Sequence, residues 1–310
     1  MNFSLPVLTI SILLTTAFSQ NIQAETIWYP LPAEAYQFGK KYPEAQKLLF
    51  AFDYGHALVY ERLLLNRGNI QNQGAFEKQI LAEVMAILKN PPNIKADEAD
   101  IAPNYVFTFP LTLNLFDWSH LLHQFVLDVL ATSKDRGQGM VNRVNEIFAQ
   151  YQANKPVMIT DVCKTMLFMD GHFYSKAFRQ NFPSFNLLIW SYHWFQIRLY
   201  EVLMRPTEKE RDQGVKDTVE AFWLLVSDLP DSADFDMMPE TAAESPTFAK
   251  VFPKLPPSFD NNHMMHDIVS DILTSPKVAT LQDIRREAII AARMAMDPNS
   301  FRAPECPQNN

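Results

Sequence analysis

Helical periodicity constrains this chain more than any other feature. The stretches FEKQILAEVMAILKN (76–90), FDWSHLLHQFVLDVLA (116–131), FNLLIWSYHWFQIRLYEVL (185–203) and TLQDIRREAIIAARMAM (280–296) place apolar residues at i, i+3 and i+4. Strand-like alternation is scarce, so the expected class is all-α. With 310 residues, 47% of them hydrophobic, the chain can bury a sizeable core and does not read as disordered.

A short element recurs along this helical background. Phe52-Asp53, Phe116-Asp117 and Phe259-Asp260 each precede a histidine, and Phe185-Asn186 is an altered fourth copy. The Asp and Asn positions are 64, 69 and 74 residues apart. This spacing predicts four degenerate helical units in a single domain, each a capped helix followed by return helices. Asp and Asn accept hydrogen bonds from the free N–H groups of a first turn, and the preceding Phe can pack as a hydrophobic staple. If every copy is capped alike, the four helices run roughly parallel, in a bundle or toroid-like core. The connections 90–104 and 229–257 carry prolines and acids that oppose regular helix and read as a lid or a wrapping arm.

Five of the seven histidines lie in the three clear copies. His120/His123 and His263/His266 are three apart, so each pair shares a helix face and can chelate one ion. His56 stands alone in its copy, and His193 falls one turn later than its counterparts. The candidate metal ligands are therefore His56, His120, His123, His193, His263 and His266, converging near the common N-terminal end of the four helices. Asp53, Asp117, Asp260 and Asp267 are either helix caps or carboxylate partners of the imidazoles. A capping box with His in the Glu position explains a single Asp-x-x-His equally well, but it gives no use to the second imidazole. Imidazole and carboxylate suit iron, copper, manganese or zinc alike. The acids Glu61, Asp128, Glu201 and Asp271 also lie within helical reach of these rings and read as solvated or capping charges.

Several function classes are excluded or disfavoured. A net charge of −8 argues against nucleic acid as a partner, and eight glycines without a Gly-rich loop argue against nucleotide binding. The zinc-peptidase His-Glu-x-x-His and the Glu-x-x-His of ferritin-like bundles are absent. Residues 1–24 carry an apolar run without Asp, Glu, Lys or Arg and read as a signal peptide. An all-α domain follows over 25–297, then a Pro-rich tail over 298–310. Cys163 and Cys306 are an even pair, expected to form a disulfide in an oxidising compartment. The expected protein is exported (periplasmic or secreted), without a transmembrane segment in its mature form. It binds transition metal and has a small anionic or apolar substrate as a candidate partner. A metal-dependent oxidoreductase is the first candidate activity. Metal storage and a metal-free helical interaction scaffold are the alternatives.

Overall fold

Proline cannot donate a backbone hydrogen bond and disfavours helical geometry in the residue before it, so it ends one helix and is well suited to begin another. This chain uses that rule at the entry to each of its four long helices. In the computed structural model, which describes residues 35–67, 73–227 and 238–306, the fold is all-α, with fifteen α-helices and no strand among the described residues.

The helices form four units. The first holds α1 (Gln37–Lys41), α2 (Pro43–Leu65) and α3 (Gln73–Lys89). The second holds α4 (Glu98–Ile101), α5 (Pro103–Thr108), α6 (Pro110–Thr132) and α7 (Gln138–Ala153). The third holds α8 (Leu167–Asp170), α9 (Ala177–Asn181), α10 (Pro183–Leu203) and α11 (Glu208–Ser227). The fourth holds α12 (Thr241–Glu244), α13 (Pro246–Val251), α14 (Leu255–Thr274) and α15 (Leu281–Met296). In each unit a short helix (α1, α5, α9, α13) leads through an aromatic-proline step into a long helix (α2, α6, α10, α14). A return helix (α3, α7, α11, α15) packs back on it.

The step has its own signature: FGKKYP (38–43), YVFTFP (105–110), FRQNFP (178–183) and FAKVFP (248–253). In every copy the second aromatic donates its N–H to the carbonyl of the first, at 2.8–2.9 Å. The two rings lie against one another, with centroids 5.1–6.0 Å apart. The first aromatic is fully buried in all four. Proline then starts α2, α6 and α10 directly, while α14 begins two residues after Pro253.

Two expectations are corrected here. The Phe-Asp elements are not helix starts: Asp53 and Asp117 sit deep inside α2 and α6, and Asp260 lies in the second turn of α14. The residues at the N-caps of the long helices are Tyr42, Phe109, Phe182 and Lys254, none with a side-chain capping bond. The proline sets the start, several residues ahead of the Asp. Asp260 does receive backbone hydrogen bonding, but from Thr241 N at 2.9 Å, at the start of α12. The long helices are also not all parallel. Glu61, near the end of α2, accepts from Tyr105 N at 2.8 Å, just ahead of α6. Asp128, near the end of α6, accepts from Phe38 N at 2.8 Å, just ahead of α2. Each helix thus ends beside the other's beginning, and the pair runs antiparallel. Glu201 with Phe248 N (3.3 Å) and Asp271 with Phe178 N (2.8 Å) impose the same arrangement on α10 and α14.

α2 and α6 each pack against both α10 and α14, and the four surround a common centre. α14 is so enclosed that only Asp260 and Thr274 of its 20 residues escape full burial. Parts of both proline-bearing connections are helical: Ala102-Pro103 joins α4 to α5 and Ser245-Pro246 joins α12 to α13, repeating the helix-proline-helix step on a smaller scale. Cys163 and Cys306 are at disulfide distance, with Cα atoms 5.3 Å apart. The segment around Cys306 is further fixed by Ala303 N to Cys163 O and Thr165 N to Phe301 O, both 2.8 Å. No helix among the described residues is long and apolar enough to cross a membrane. The apolar 1–24 segment, residues 228–237 and the last four residues of the tail lie outside the described residues.

Candidate metal centre

Counting from the proline of each unit brings the histidines into one register. The tenth and thirteenth residues after it are Asp53/His56, His120/His123, His193/Gln196 and His263/His266. Eight helical positions therefore carry six imidazoles, one carboxylate and one carboxamide. His193 is not displaced by a turn: it aligns directly with His120 and His263. Residues three apart share a helix face, so each long helix offers two polar groups to the centre near its midpoint. This places the site in the middle of the bundle, not at its end as the sequence suggested.

The structure brings the six histidines together. Ring centroids are 4.9 Å apart for His56 and His266, and 4.1 Å for His193 and His263. They are 5.6 Å apart for His120 and His266, and 5.8 Å for His123 and His263. His56, His123, His193, His263 and His266 are buried, and His120 nearly so. The tightest group is His56, His193 and His266, each offering a ring nitrogen within 4.8 Å of the others. Within it, His193 Nε2 and His266 Nδ1 are 3.1 Å apart. Two nitrogens on one tetrahedral ion, each ~2.05 Å from it, stand roughly 3.3 Å apart, so little movement separates the observed geometry from a ligated one. His56 Nδ1 lies 3.3 Å from Phe52 O. A carbonyl only accepts, so Nδ1 carries the proton and the lone pair sits on Nε2. That nitrogen has no hydrogen-bond partner. Buried polar atoms seldom go unsatisfied, and a ring nitrogen with a free lone pair is what a metal needs.

Burial sets the charge state. His56 and His263 are pushed down to about 3, chiefly by burial, with His56 a further cause for His263. His120, His123, His193 and His266 are held well below the usual histidine range by burial first and then by nearby charge, including one another. The imidazoles are thus neutral and ready to ligate. Helix dipoles have little influence at these mid-helix positions.

Among the described residues, Asp53 and His120 form the one carboxylate–imidazole pair within 4 Å, at 3.3 Å. Asp53 also lies 3.8 Å from Lys95, whose ammonium is 3.6 Å from Asp117. Burial lowers the pKa of Lys95, but Glu98, Asp53 and Asp117 outweigh it and keep the lysine charged. Burial raises the Asp53 carboxyl to about 7 despite that lysine. Asp117 and Asp267 are buried too, Asp267 raised to about 7 by burial against the pull of Arg179. The acids Glu61, Asp128, Glu201 and Asp271 accept backbone N–H groups of the short helices and hold them in place.

Three residues escaped the sequence reading. Gln196 lies 3.3 Å from His263 Nε2, Tyr200 hydrogen-bonds His123 Nδ1, and Lys95 enters from the 90–104 connection. The aromatic-proline register would have exposed Gln196, which holds a position that is histidine in the other three units. A cavity of about 30 Å³ borders Asp53, Lys95, His120, His123 and Gln196, roughly the space of one or two water-sized molecules. No family model matches the chain, and no curated protein or solved structure matches it.

Proposed function

We propose that this protein binds a first-row transition metal ion in its histidine core and serves as an exported, metal-dependent oxidoreductase acting on a small oxygen species. The observation that carries the reading is the buried group His56, His193 and His266, with ring nitrogens within 4.8 Å of one another. Three neutral nitrogen ligands leave an ion at least one open position, the usual condition for a reactive centre. Six imidazoles surrounded by rings are a poor basis for storage, because so closed a core has no room for many ions. The ~30 Å³ cavity limits the reacting partner to the scale of water, dioxygen or peroxide. Buried Lys95 would favour an anionic form of that partner. The bound metal supplies the redox change or the activated oxygen ligand. The chain holds the imidazoles neutral, excludes bulk water and keeps one cation beside the cavity.

Export rests on the 1–24 segment and is consistent with the paired cysteines. Metal analysis of purified protein, with visible spectra before and after addition of peroxide, tests the function. A stoichiometric ion and a peroxide-dependent spectrum are expected. A metal-free protein that also refuses added iron, copper, manganese and zinc would end the metal reading. A loaded protein blind to peroxide and oxygen would end the oxidoreductase reading alone.

A further inference from the structure

The four units are paired by the reciprocal acid-to-amide bonds, first with second and third with fourth. An approximate twofold relation follows, exchanging the units within each pair while keeping the register from the proline. Applied to the His56/His193/His266 group, it sends His56 to His123, His193 to His263 and His266 to Gln196.

The contacts obey this exchange. His193 Nε2 to His266 Nδ1 is 3.1 Å, and its counterpart, His263 Nε2 to Gln196 Oε1, is 3.3 Å. The His56 and His193 centroids are 5.7 Å apart, and those of His123 and His263 are 5.8 Å apart. His56 Nδ1 is held by Phe52 O, and His123 Nδ1 by the Tyr200 hydroxyl. The same atoms are left without partners: Nε2 of His56 and of His123, and Nδ1 of His193 and of His263.

From this correspondence we infer a second metal position, formed by His123, His263 and the Gln196 side-chain oxygen. It rests on the reading of the core as a metal centre and adds to it a two-ion arrangement with unequal halves. One ion has three imidazoles. The other has two imidazoles and a carboxamide oxygen, a weaker donor for these metals. The weaker position is also the accessible one: His123 and Gln196 line the ~30 Å³ cavity, whereas His56, His193 and His266 do not. The small oxygen ligand therefore meets the protein at the second ion, beside Lys95.

Cobalt(II) titration of the full chain, stripped by chelator, tests this through visible absorption and metal content after gel filtration. Wild type should take up two ions with separable affinities. His123→Ala and His263→Ala should each take up one, with circular dichroism unchanged. Gln196→His replaces the carboxamide oxygen with an imidazole and makes the second set of three match the first, so it should keep two ions and tighten the weaker one about tenfold or more. One ion in wild type, lost on His56→Ala or His266→Ala but kept at full affinity in His123→Ala, overturns the second position and leaves the first standing. No ion at all in wild type overturns the metal reading itself. If His123→Ala does not fold, Gln196→His decides, and unchanged dissociation constants in that variant overturn the second position.

Discussion

The histidines illustrate what residue type alone reveals. Four of the six candidate ligands stood out as imidazole pairs three residues apart on a helix, and His56 and His193 were added by the repeated Phe-Asp and Phe-Asn element. Gln196 was not legible, since a lone glutamine carries no metal signal until its register is known. Their burial was not legible in the residue pattern, because helices at the centre of a bundle are enclosed on every side. That enclosure has a measurable consequence. Below pH 6.5 the unfolded chain gains a proton at His263, while the folded, metal-free protein does not until about pH 3. Over that window this one residue costs about 1.4 kcal/mol of stability per pH unit as pH falls. Metal-free His263→Gln should therefore lose less stability than wild type between pH 6.5 and 4.5, the gap shifting by roughly 2–3 kcal/mol. Urea unfolding of both proteins at several pH values measures this, and parallel pH profiles would contradict a neutral, buried His263.

At the scale of elements, helix was legible and helix starts were not. Asp and Asn favour N-caps, so Phe-Asp pairs looked like beginnings. Proline at N1, pre-set for helical φ and lacking an N–H that would go unused, begins the long helices earlier. The fourfold organisation was legible all the same, because both motifs repeat with the units. The direction of the helices was beyond sequence reasoning. It depends on Glu61, Asp128, Glu201 and Asp271 reaching amides in other units, contacts between residues 44 to 93 positions apart. Asp128→Asn keeps an acceptor oxygen but removes the charge from the bond to Phe38 N. It should cost about 1 kcal/mol, and Asp128→Ala about 2 kcal/mol, with loosening confined to α1 and the start of α2. Hydrogen exchange resolves the location, and uniform loss of protection across all four units would show that the acids do not act locally.

For the whole molecule, the apolar pattern and the cysteine pair were legible, and the central placement of the site was not. Cys163 and Cys306 join segments 143 residues apart, so their bond restrains much of the unfolded chain. Reduction should lower stability by about 2–4 kcal/mol, and thiol titration of unfolded, unreduced protein should find no free thiol. Two free thiols would remove the cysteine argument for export.

The central claim is that imidazoles from several helices converge on a metal. X-ray absorption at the edge of the bound metal tests it most directly. The account predicts nitrogen neighbours near 2.0–2.1 Å for zinc, with imidazole scattering, losing ring contributions in His56→Ala and His266→Ala. A coordination shell of oxygen alone, unchanged by those substitutions, would contradict it.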